Sequence, residues 1–226
     1  MAASSITIRS RIERIEPALL AEVRDYPSGY FVDIQGRRGA LDCGIRPMFA
    51  FPRVFGTAVT VKTVPDDNLA PYMALTMLRP GDVLVIANGG WRGSSVIGDL
   101  IAGMFRNAGV AAIVTDGVVR DIEGLEAVGM PVFASGLSPN SPQKFGPGEI
   151  GGEVVIGGVN VRSGDLIVGD RDGVVCLGAD RFAGAREALR EVRRKEAGIE
   201  RQIAEGMTVP QWVTDLAATD AVAWID

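Results

Sequence analysis

The chain has 226 residues, of which 47% are hydrophobic, and its formal net charge is −5. This length can bury one full core, so we expect a single domain over residues 1–226. The negative charge disfavours nucleic acid as a partner, because binding to a phosphate backbone needs a basic surface. No apolar run in the sequence approaches the roughly 18 residues of a membrane span. We therefore expect a soluble, cytoplasmic protein that has no membrane partner.

The sequence contains no histidine. This excludes Ser–His and Cys–His nucleophile pairs and every zinc site that uses histidine. The two cysteines, Cys43 and Cys176, match no metal-binding or redox spacing, and we interpret them as reduced structural thiols. Any catalysis would then depend on carboxylates, Arg, Lys, Tyr or metal-bound water, and Mg²⁺ is a natural ion for such oxygen ligands.

The first part of the chain is predicted to alternate helices and strands. Apolar spacing predicts a helix from Ile8 to Arg24, with Pro17 as a kink or a second start. The elements predicted after it are loops around short elements over 25–55, a strand over 56–64, a helix over 68–78, a turn over 79–82 and a buried strand over 83–87.

Two glycine-containing segments are interpreted as loops. Asn88 to Gly93 follows a strand but matches neither the dinucleotide fingerprint nor the P-loop, and we expect a flexible loop beside a site. Asp170 to Gly173 resembles the start of a calcium loop. It lacks the further ligands and the distal Glu, so we predict a hairpin turn instead.

The last third of the chain changes character. A strand is predicted over 131–134, and short strands separated by turns over 150–177 predict hairpins. A long charged helix is predicted from Ala179 to Glu205, and the tail from Val209 contains Trp212 and Trp224. We expect 179–226 to pack, on a neighbouring subunit, because a disordered tail would lack such aromatics.

Three charged residues are predicted to come together in the middle of the chain. Spacing predicts a helix from Ser95 to Asn107, which places Asp99 in its first turn, and a strand from Val110 to Thr115. Arg120 and Asp121 follow that strand, where open α/β sheets bind ligands. Two interpretations stay open at this point. Asp121 could cap a helix over 122–128 and Arg120 could form a surface ion pair, or the group could form a site.

In the second interpretation each part has a chemical role. The free amides over 98–101 at the helix start would bind a small carboxylate. Arg120 would offer a planar fork to a second anionic group, and Asp121 with Asp99 would supply oxygen ligands to a divalent cation.

These residues carry a resemblance to a known enzyme family. Asp99, twenty intervening residues and then Arg120-Asp121 resemble the Asp-x20-Arg-Asp signature of class II pyruvate aldolases acting on 4-hydroxy-4-methyl-2-oxoglutarate. The likeness covers roughly residues 20 to 206. Further segments look like the same superfamily, which also contains the RraA-type regulators of ribonuclease E: Gly81 to Val85, Asp116 to Asp121, Pro131 to Ala134 and Gly164 to Val175.

The resemblance implies a role for each matching residue. Asp121 would be a ligand of Mg²⁺ or Mn²⁺, and Asp99 would hold metal-bound water. Arg120 would contact the pyruvyl oxygen and stabilise an enolate. The backbone amides of Gly98, Asp99, Leu100 and Ile101 would bind the pyruvyl carboxylate. Glu196 from the neighbouring subunit's C-terminal helix would complete the metal's water shell, with Glu200 as the competing residue.

The resemblance also implies a fold and an activity. The fold would be an α/β, swivelling β/β/α (RraA-like) domain with a long C-terminal helix, assembled as a homotrimer or homohexamer. The activity would be metal-dependent cleavage of a 4-hydroxy-2-oxo acid to pyruvate and a second oxo acid, with oxaloacetate decarboxylation through the same enolate.

Two alternatives remain from the sequence. A Schiff-base aldolase would need a buried lysine, and among Lys62, Lys144 and Lys195 only Lys62 is conceivable. The other alternative is a non-catalytic RraA-like regulator that binds a ribonuclease. That branch lacks the acid after the arginine and the long C-terminal helix, both of which this sequence has.

Overall fold

The computed structural model describes residues 6–225. The chain divides into two compact units, Met1–Leu189 and Arg190–Asp226, and the boundary lies inside the long C-terminal helix. The first unit contains the mixed α/β fold that the sequence predicts. A single domain over the whole chain, and the packing of 179–226 on a neighbour, stay predictions.

The first unit contains most of the regular structure. Its strands are β1 (Ile6–Ile8), β2 (Arg46–Pro47), β3 (Val54–Thr63), β4 (Asp82–Ala87), β5 (Ser95–Ile97), β6 (Ala112–Thr115), β7 (Val118–Val119), β8 (Val132–Ala134), β9 (Gly148–Ile150), β10 (Glu153–Ile156), β11 (Val159–Arg162), β12 (Leu166–Asp170) and β13 (Gly173–Leu177). The helices of the chain are α1 (Pro17–Val23), α2 (Ser28–Asp33), α3 (Leu69–Ala74), α4 (Asp99–Asn107), α5 (Ile122–Val128), α6 (Phe182–Ala204) and α7 (Gln211–Ala217).

The main sheet has the order β1-β9-β3-β4-β6-β8-β2, with β12 also paired to β3, and β13 paired to β12. Strands β3, β4, β6 and β8 are parallel to one another. All six residues of β4 are buried, as expected for a strand that is covered on both faces.

Different elements cover the two faces of this sheet. Helices α3, α4 and α5 contribute Ala70, Phe105 and Leu125 to a core that includes Leu84 of β4. A second core joins side chains of β4 to Val154 of β10 and Val161 of β11. The sheet therefore lies between a layer of helices and a β-hairpin.

Two predicted helices begin later than expected. Ile6–Ile8 is a strand paired with β9, and the first helix starts at Pro17, a residue that is preorganised for the first helical position. The helix predicted from Ser95 begins at Asp99. Ser95–Ile97 is instead a strand that pairs in parallel with Val118–Val119. Long-range pairing overrides the helical spacing at Ile8 and over Ser95–Ile97.

The predicted turns between 150 and 177 are confirmed. Gly157 and Gly158 form the two-residue turn between β10 and β11, and both have positive φ, which suits glycine. Asp170 pairs with Gly173 across the turn between β12 and β13, so this segment is a hairpin.

The second unit consists of the end of α6, followed by α7 and the remaining tail. Large apolar side chains on these elements are exposed in the chain, among them Ile203, Trp212 and Trp224. Within the described residues, the structure has no helix that is long and apolar enough to cross a membrane.

One ion pair ties the N-terminal segment to the sheet, and we expect its loss to destabilise the fold. Arg14 donates two hydrogen bonds to Asp82, at 2.8 and 2.9 Å, and the Asp82 carboxylate is buried. Arg14→Met should lower the free energy of unfolding by about 3–5 kcal/mol, because the carboxylate stays buried without its cation. Arg9→Met, which removes an exposed ion pair to Glu149, should cost about 0–1 kcal/mol. Urea unfolding measures both, and equal losses would contradict the prediction.

The two thiols should differ in reactivity. Burial raises the pKa of the Cys176 thiol, and the neighbouring Asp165 carboxylate raises this pKa further. Cys43 is exposed. In the native protein a thiol-specific disulfide reagent should modify Cys43 quickly and Cys176 only after unfolding. Fast modification of both, or a Cys43→Ser variant that still reacts in the native state, would show that Cys176 is accessible.

Candidate active site

A short parallel ladder brings the candidate residues together. Strands β5 and β7 pair beyond the main sheet, and the Arg120 N–H donates to the carbonyl oxygen of Ile97 at 3.1 Å. Each strand leads directly into a helix, so the first turns of α4 and α5 lie side by side. The structure therefore brings Asp99 and Arg120-Asp121 together, as the sequence predicts.

Asp121 occupies the N-cap position of α5 without acting as a cap. Its backbone is left-handed, with φ 58° and ψ 50°, and its side chain makes no capping hydrogen bond. Its Oδ2 atom instead accepts a hydrogen bond from Arg120 Nε at 3.0 Å. A left-handed backbone is unfavourable for a residue other than glycine and is typical of functional positions. The first interpretation of the sequence is thus correct about the ion pair and the N-cap position, but the carboxylate makes no hydrogen bond to the helix amides.

Two glycines make room for the charged side chains. A Cβ atom at Gly98 would lie 2.5 Å from Asp121 Oδ2, and one at Gly124 would lie 2.5 Å from Asp99 Oδ2. Both distances are far shorter than real contacts of a Cβ atom. Gly98 therefore allows Arg120 and Asp121 to lie against the start of α4, and Gly124 allows Asp99 to lie against α5.

The loop that contains Ser141 also contributes to the site. Arg120 donates from Nη1 to the Ser141 hydroxyl, so its guanidinium is held from both sides. The backbone of this loop pairs with the start of α3, where Asn68 N–H donates to Gln143 O at 3.0 Å. The Asp67 carboxylate accepts backbone hydrogen bonds from Phe145 and Gly146.

These elements surround a cavity of about 80 Å³. It is much smaller than the roughly 300–1,000 Å³ of pockets for drug-sized ligands, and it suits a small acid. Its wall includes all the predicted substrate-binding positions, namely Gly98, Asp99, Leu100, Ile101 and Arg120, together with Asp121.

Sequence reasoning missed several residues of this wall. The same cavity is also lined by Asn68, Tyr72, Ser141 and Lys144. Gly124 does not line it but contacts the Asp99 side chain. Lys144 lies with its ammonium 5.6 Å from the centre of the Tyr72 ring. Nothing in the local sequence signals these residues, because they reach the site only where the start of α3 pairs with a loop that is distant in sequence.

The two carboxylates in this wall, Asp99 and Asp121, fit a hard divalent cation that retains most of its water ligands. No group of three or more Cys, Asp or Glu side chains that could hold a metal lies within residues 6–225. Asp121 is exposed at the cavity and Asp99 is half-buried beside it. Mg²⁺ is commonly bound through one or two carboxylates and several waters, so this donor set fits Mg²⁺ or Mn²⁺.

The structure places Glu196 and Glu200 on the part of α6 that belongs to the second unit. Glu196 is half-buried and Glu200 is exposed. A role for either residue at a neighbouring subunit's site stays a prediction.

The glycine-rich segment from Asn88 to Gly93 does not line this cavity. Its backbone N–H groups at Asn88 and Gly90 donate to the Asp116 carboxylate at 2.9 and 3.0 Å. Burial raises the pKa of Asp116 above its ordinary value, while these backbone hydrogen bonds act to lower it. The segment is held by hydrogen bonds and lies against a different cavity, with Lys62 and Glu153.

Known proteins resemble this chain in sequence and in fold. Residues 20–176 match the RraA-like family, which is described as Aldolase/RraA. The chain belongs to the RraA-like family. It is 31% identical over 87% of its length, and 93% of the relative's, to a Halalkalibacterium halodurans protein named "Putative 4-hydroxy-4-methyl-2-oxoglutarate aldolase".

Solved structures agree with this family membership. An uncharacterized protein from Pseudomonas syringae pv. tomato is similar with a TM-score of 0.77 and 27% identity, over 90% of this chain and 96% of that one. Streptomyces coelicolor RraAS2, an unusual member of the RNase ES inhibitor RraA protein family, gives a TM-score of 0.75 and 26% identity, over 84% of this chain and 100% of that one. The RraA-like fold expected from the sequence is confirmed.

A methyl group at Gly98 should disturb cation binding without harming the fold. Gly98 has an extended backbone, so Gly98→Ala is conformationally allowed, but its Cβ would displace the Asp121 carboxylate. We expect affinity for Mn²⁺, measured by calorimetry, to fall about tenfold or more, a loss of roughly 1.4 kcal/mol. Gly103→Ala is the control, because a Cβ there meets nothing within 4 Å in the middle of α4. Equal Mn²⁺ affinities in the two variants would contradict the role assigned to the Gly98 contact.

Proposed function

We propose that this protein is a divalent-metal-dependent lyase that cleaves a 4-hydroxy-2-oxo acid to pyruvate and a second oxo acid. The substrate would be of the 4-hydroxy-4-methyl-2-oxoglutarate type, and the same site would decarboxylate oxaloacetate. The observation that carries the proposal is the junction of the α4 N-terminus, Arg120 and Asp121 in one small cavity. The name of the H. halodurans relative supports the same reaction class.

The α4 N-terminus would bind the pyruvyl carboxylate. The amides of Asp99, Leu100 and Ile101 are in its first turn, where N–H groups have no partner inside the helix. The helix dipole adds a partial positive charge at this end. A carboxylate bound there would orient the 2-oxo group towards the next positive group in the wall, the guanidinium of Arg120.

Arg120 would stabilise the charge that develops on the oxygen of the 2-oxo group. Its guanidinium is fixed by Asp121 on one side and by Ser141 on the other, so it is oriented before the substrate binds. Cleavage of the bond between carbons 3 and 4 leaves the electron pair on the pyruvyl part as an enolate. In many enzymes, preorganised hydrogen-bond donors that stabilise the charge developing in the transition state make the largest contribution to the rate enhancement.

Asp99 would hold a water molecule that removes the proton of the 4-hydroxyl group. The chain has no histidine for this task, and Asp99 is the second carboxylate in the wall. Asp121 would be the direct ligand of Mg²⁺ or Mn²⁺, with Asp99 bound through water. When bound, the cation would polarise the 2-oxo acid and lower the energy of the enolate.

The proposal includes an assembly of several subunits. We propose a homotrimer or homohexamer in which Glu196, or alternatively Glu200, of a neighbouring subunit completes the water shell of the metal. Exposed apolar side chains on α6, α7 and the tail support an interface in this region, because soluble monomers rarely expose such groups together.

A regulator without catalysis is the second candidate. The similarity to S. coelicolor RraAS2, an unusual member of the RNase ES inhibitor RraA protein family, favours it. The fold is shared by both functions, so the fold cannot decide between them. Asp121 and the long helix α6 favour the lyase. By the resemblance described above, the regulator branch lacks both the acid after the arginine and the long C-terminal helix.

Substitutions of Arg120 and Asp121 test the lyase. With oxaloacetate and 4-hydroxy-4-methyl-2-oxoglutarate as substrates, Arg120→Met should lower kcat/KM about 10²–10³-fold, as for the loss of one oxyanion donor. Asp121→Asn should remove the stimulation of pyruvate release by Mg²⁺. Arg171→Met and Asp172→Asn, on the distant β12–β13 turn, are the matched controls. No metal-dependent pyruvate release by the native protein, together with tight binding to a ribonuclease, would favour the regulator.

A further inference from the structure

Two short connections carry the chain from the main sheet to the ladder of the candidate site. Residues 88–94 connect β4 to β5, and residues 116–117 connect β6 to β7. Because β4 and β6 are parallel neighbours, both connections start at the same edge of the sheet. β5 leads into α4, and β7 leads into Arg120 and Asp121. The position of one connection relative to the other therefore affects how the α4 amides lie relative to the Arg120 guanidinium.

The Asp116 carboxylate joins these two connections. Its Oδ1 atom accepts a hydrogen bond from Asn88 N–H at 2.9 Å, and its Oδ2 atom accepts one from Gly90 N–H at 3.0 Å. The backbone pairing of β4 with β6 ends at Ile86 and Thr115, directly before Asp116 in the chain. A single side chain thus extends the contact between the two chain segments beyond the point where the sheet ends.

A close contact between Gly117 and Asn88 supports the same arrangement. A Cβ atom at Gly117 would lie 2.4 Å from Asn88 Nδ2, so glycine lets the two connections approach this closely. Asn88 is 3% exposed, and its Oδ1 atom accepts from Trp91 N–H at 3.2 Å, inside its own connection. We call the two hydrogen bonds of Asp116, together with this contact, the Asp116 junction.

The ionised form of Asp116 is costly for the fold. Asp116 is half-buried, and burial raises the pKa of its carboxyl group although the amides of Asn88 and Gly90 act to lower it. A carboxyl group with a raised pKa in the folded state contributes most to stability when protonated, and this contribution falls as the pH rises through the raised pKa. What the carboxylate adds is geometry, because it offers one acceptor oxygen to each amide, whereas an asparagine side chain has a single acceptor oxygen.

We propose that Asp116 is a positioning residue of the candidate active site. Through the Asp116 junction it fixes the connection to β5 against the connection to β7, and so fixes the distance between the α4 amides and the Arg120 guanidinium. Asp116 does not line the cavity and acts through these groups, without touching substrate. The inference rests on the proposed function, in which the amides bind the pyruvyl carboxylate and Arg120 stabilises the enolate oxygen of the same molecule.

A small change in this distance should affect turnover more than binding. The pyruvyl carboxylate can bind to the α4 amides alone, whereas stabilisation of the enolate needs Arg120 in the correct place. Asp116→Asn should lower kcat for oxaloacetate decarboxylation and for cleavage of a 4-hydroxy-2-oxo acid about tenfold or more, with KM within about threefold of the native value. Asp172→Asn, on the exposed β12–β13 turn, removes the same charge elsewhere and is the control.

Two further measurements separate positioning from stability. The urea midpoint of Asp116→Asn should stay near the native value, because the amide still accepts from one N–H group and buries no charge. Gly117→Ala leaves Asp116 intact but displaces Asn88, so it should also lower kcat with little change in KM. The double variant should lose little more than either single variant, because both substitutions act on one junction.

Hydrogen–deuterium exchange measures the junction without any substrate. In Asp116→Asn, but not in Asp172→Asn, amide exchange should become faster over residues 88–101 and 116–121, while the strands of the main sheet keep their native rates. Faster exchange there with native kcat would overturn the positioning role. A fall in kcat that is accompanied by a lower urea midpoint and faster exchange over the whole sheet would also overturn it. Native protein without turnover would overturn the proposed function, and unchanged exchange over both connections would overturn the Asp116 junction whatever the activity is.

Discussion

The candidate site depends on the parallel pairing of two very short strands, β5 and β7. The hydrogen bond from Arg120 N–H to Ile97 O lies where the two strands end and the two helices begin. Without this ladder, the amides at the start of α4 and the side chains of Arg120 and Asp121 would have no reason to share a cavity. Strands of two and three residues are not stable alone, and their burial beside the main sheet holds them in place.

Two polar residues at helix N-cap positions make no capping hydrogen bond in this structure. Asp121 caps neither α5 nor any other helix, and Asn68 does not cap α3. Each therefore loses a contribution that a capping side chain typically makes, about 0.5–2 kcal/mol. Asp121 also adopts a left-handed backbone. Such local costs persist only where the surrounding fold over-determines the conformation, and they concentrate at binding and catalytic sites. Both residues line one cavity, which is why we interpret these costs as functional.

The sequence predicts the elements whose signals are local. The buried runs of β4 and β6 and the two glycine-containing hairpins follow from apolar runs and turn residues. The strand Ser95–Ile97 was predicted as helix, because Val96 and Ile97 continue the apolar spacing of α4 across Gly98. Only the distant partner Val118–Val119 makes this segment a strand. Local patterns cannot carry that information.

The site residues that the sequence reveals are those that belong to a spaced motif. Asp99, Arg120 and Asp121 form a spaced signature, and the β5–β7 ladder brings them together. Asn68 and Lys144 lie far apart in sequence and meet where the start of α3 pairs with the loop that contains Lys144, with Gln143 accepting from Asn68 N–H. In the proposed function, the three revealed residues would bind the pyruvyl end of the substrate and the cation. The cavity residues that the sequence did not reveal lie outside the β5–β7 ladder, so substitutions there would leave the pairing that holds Asp99, Arg120 and Asp121 together intact.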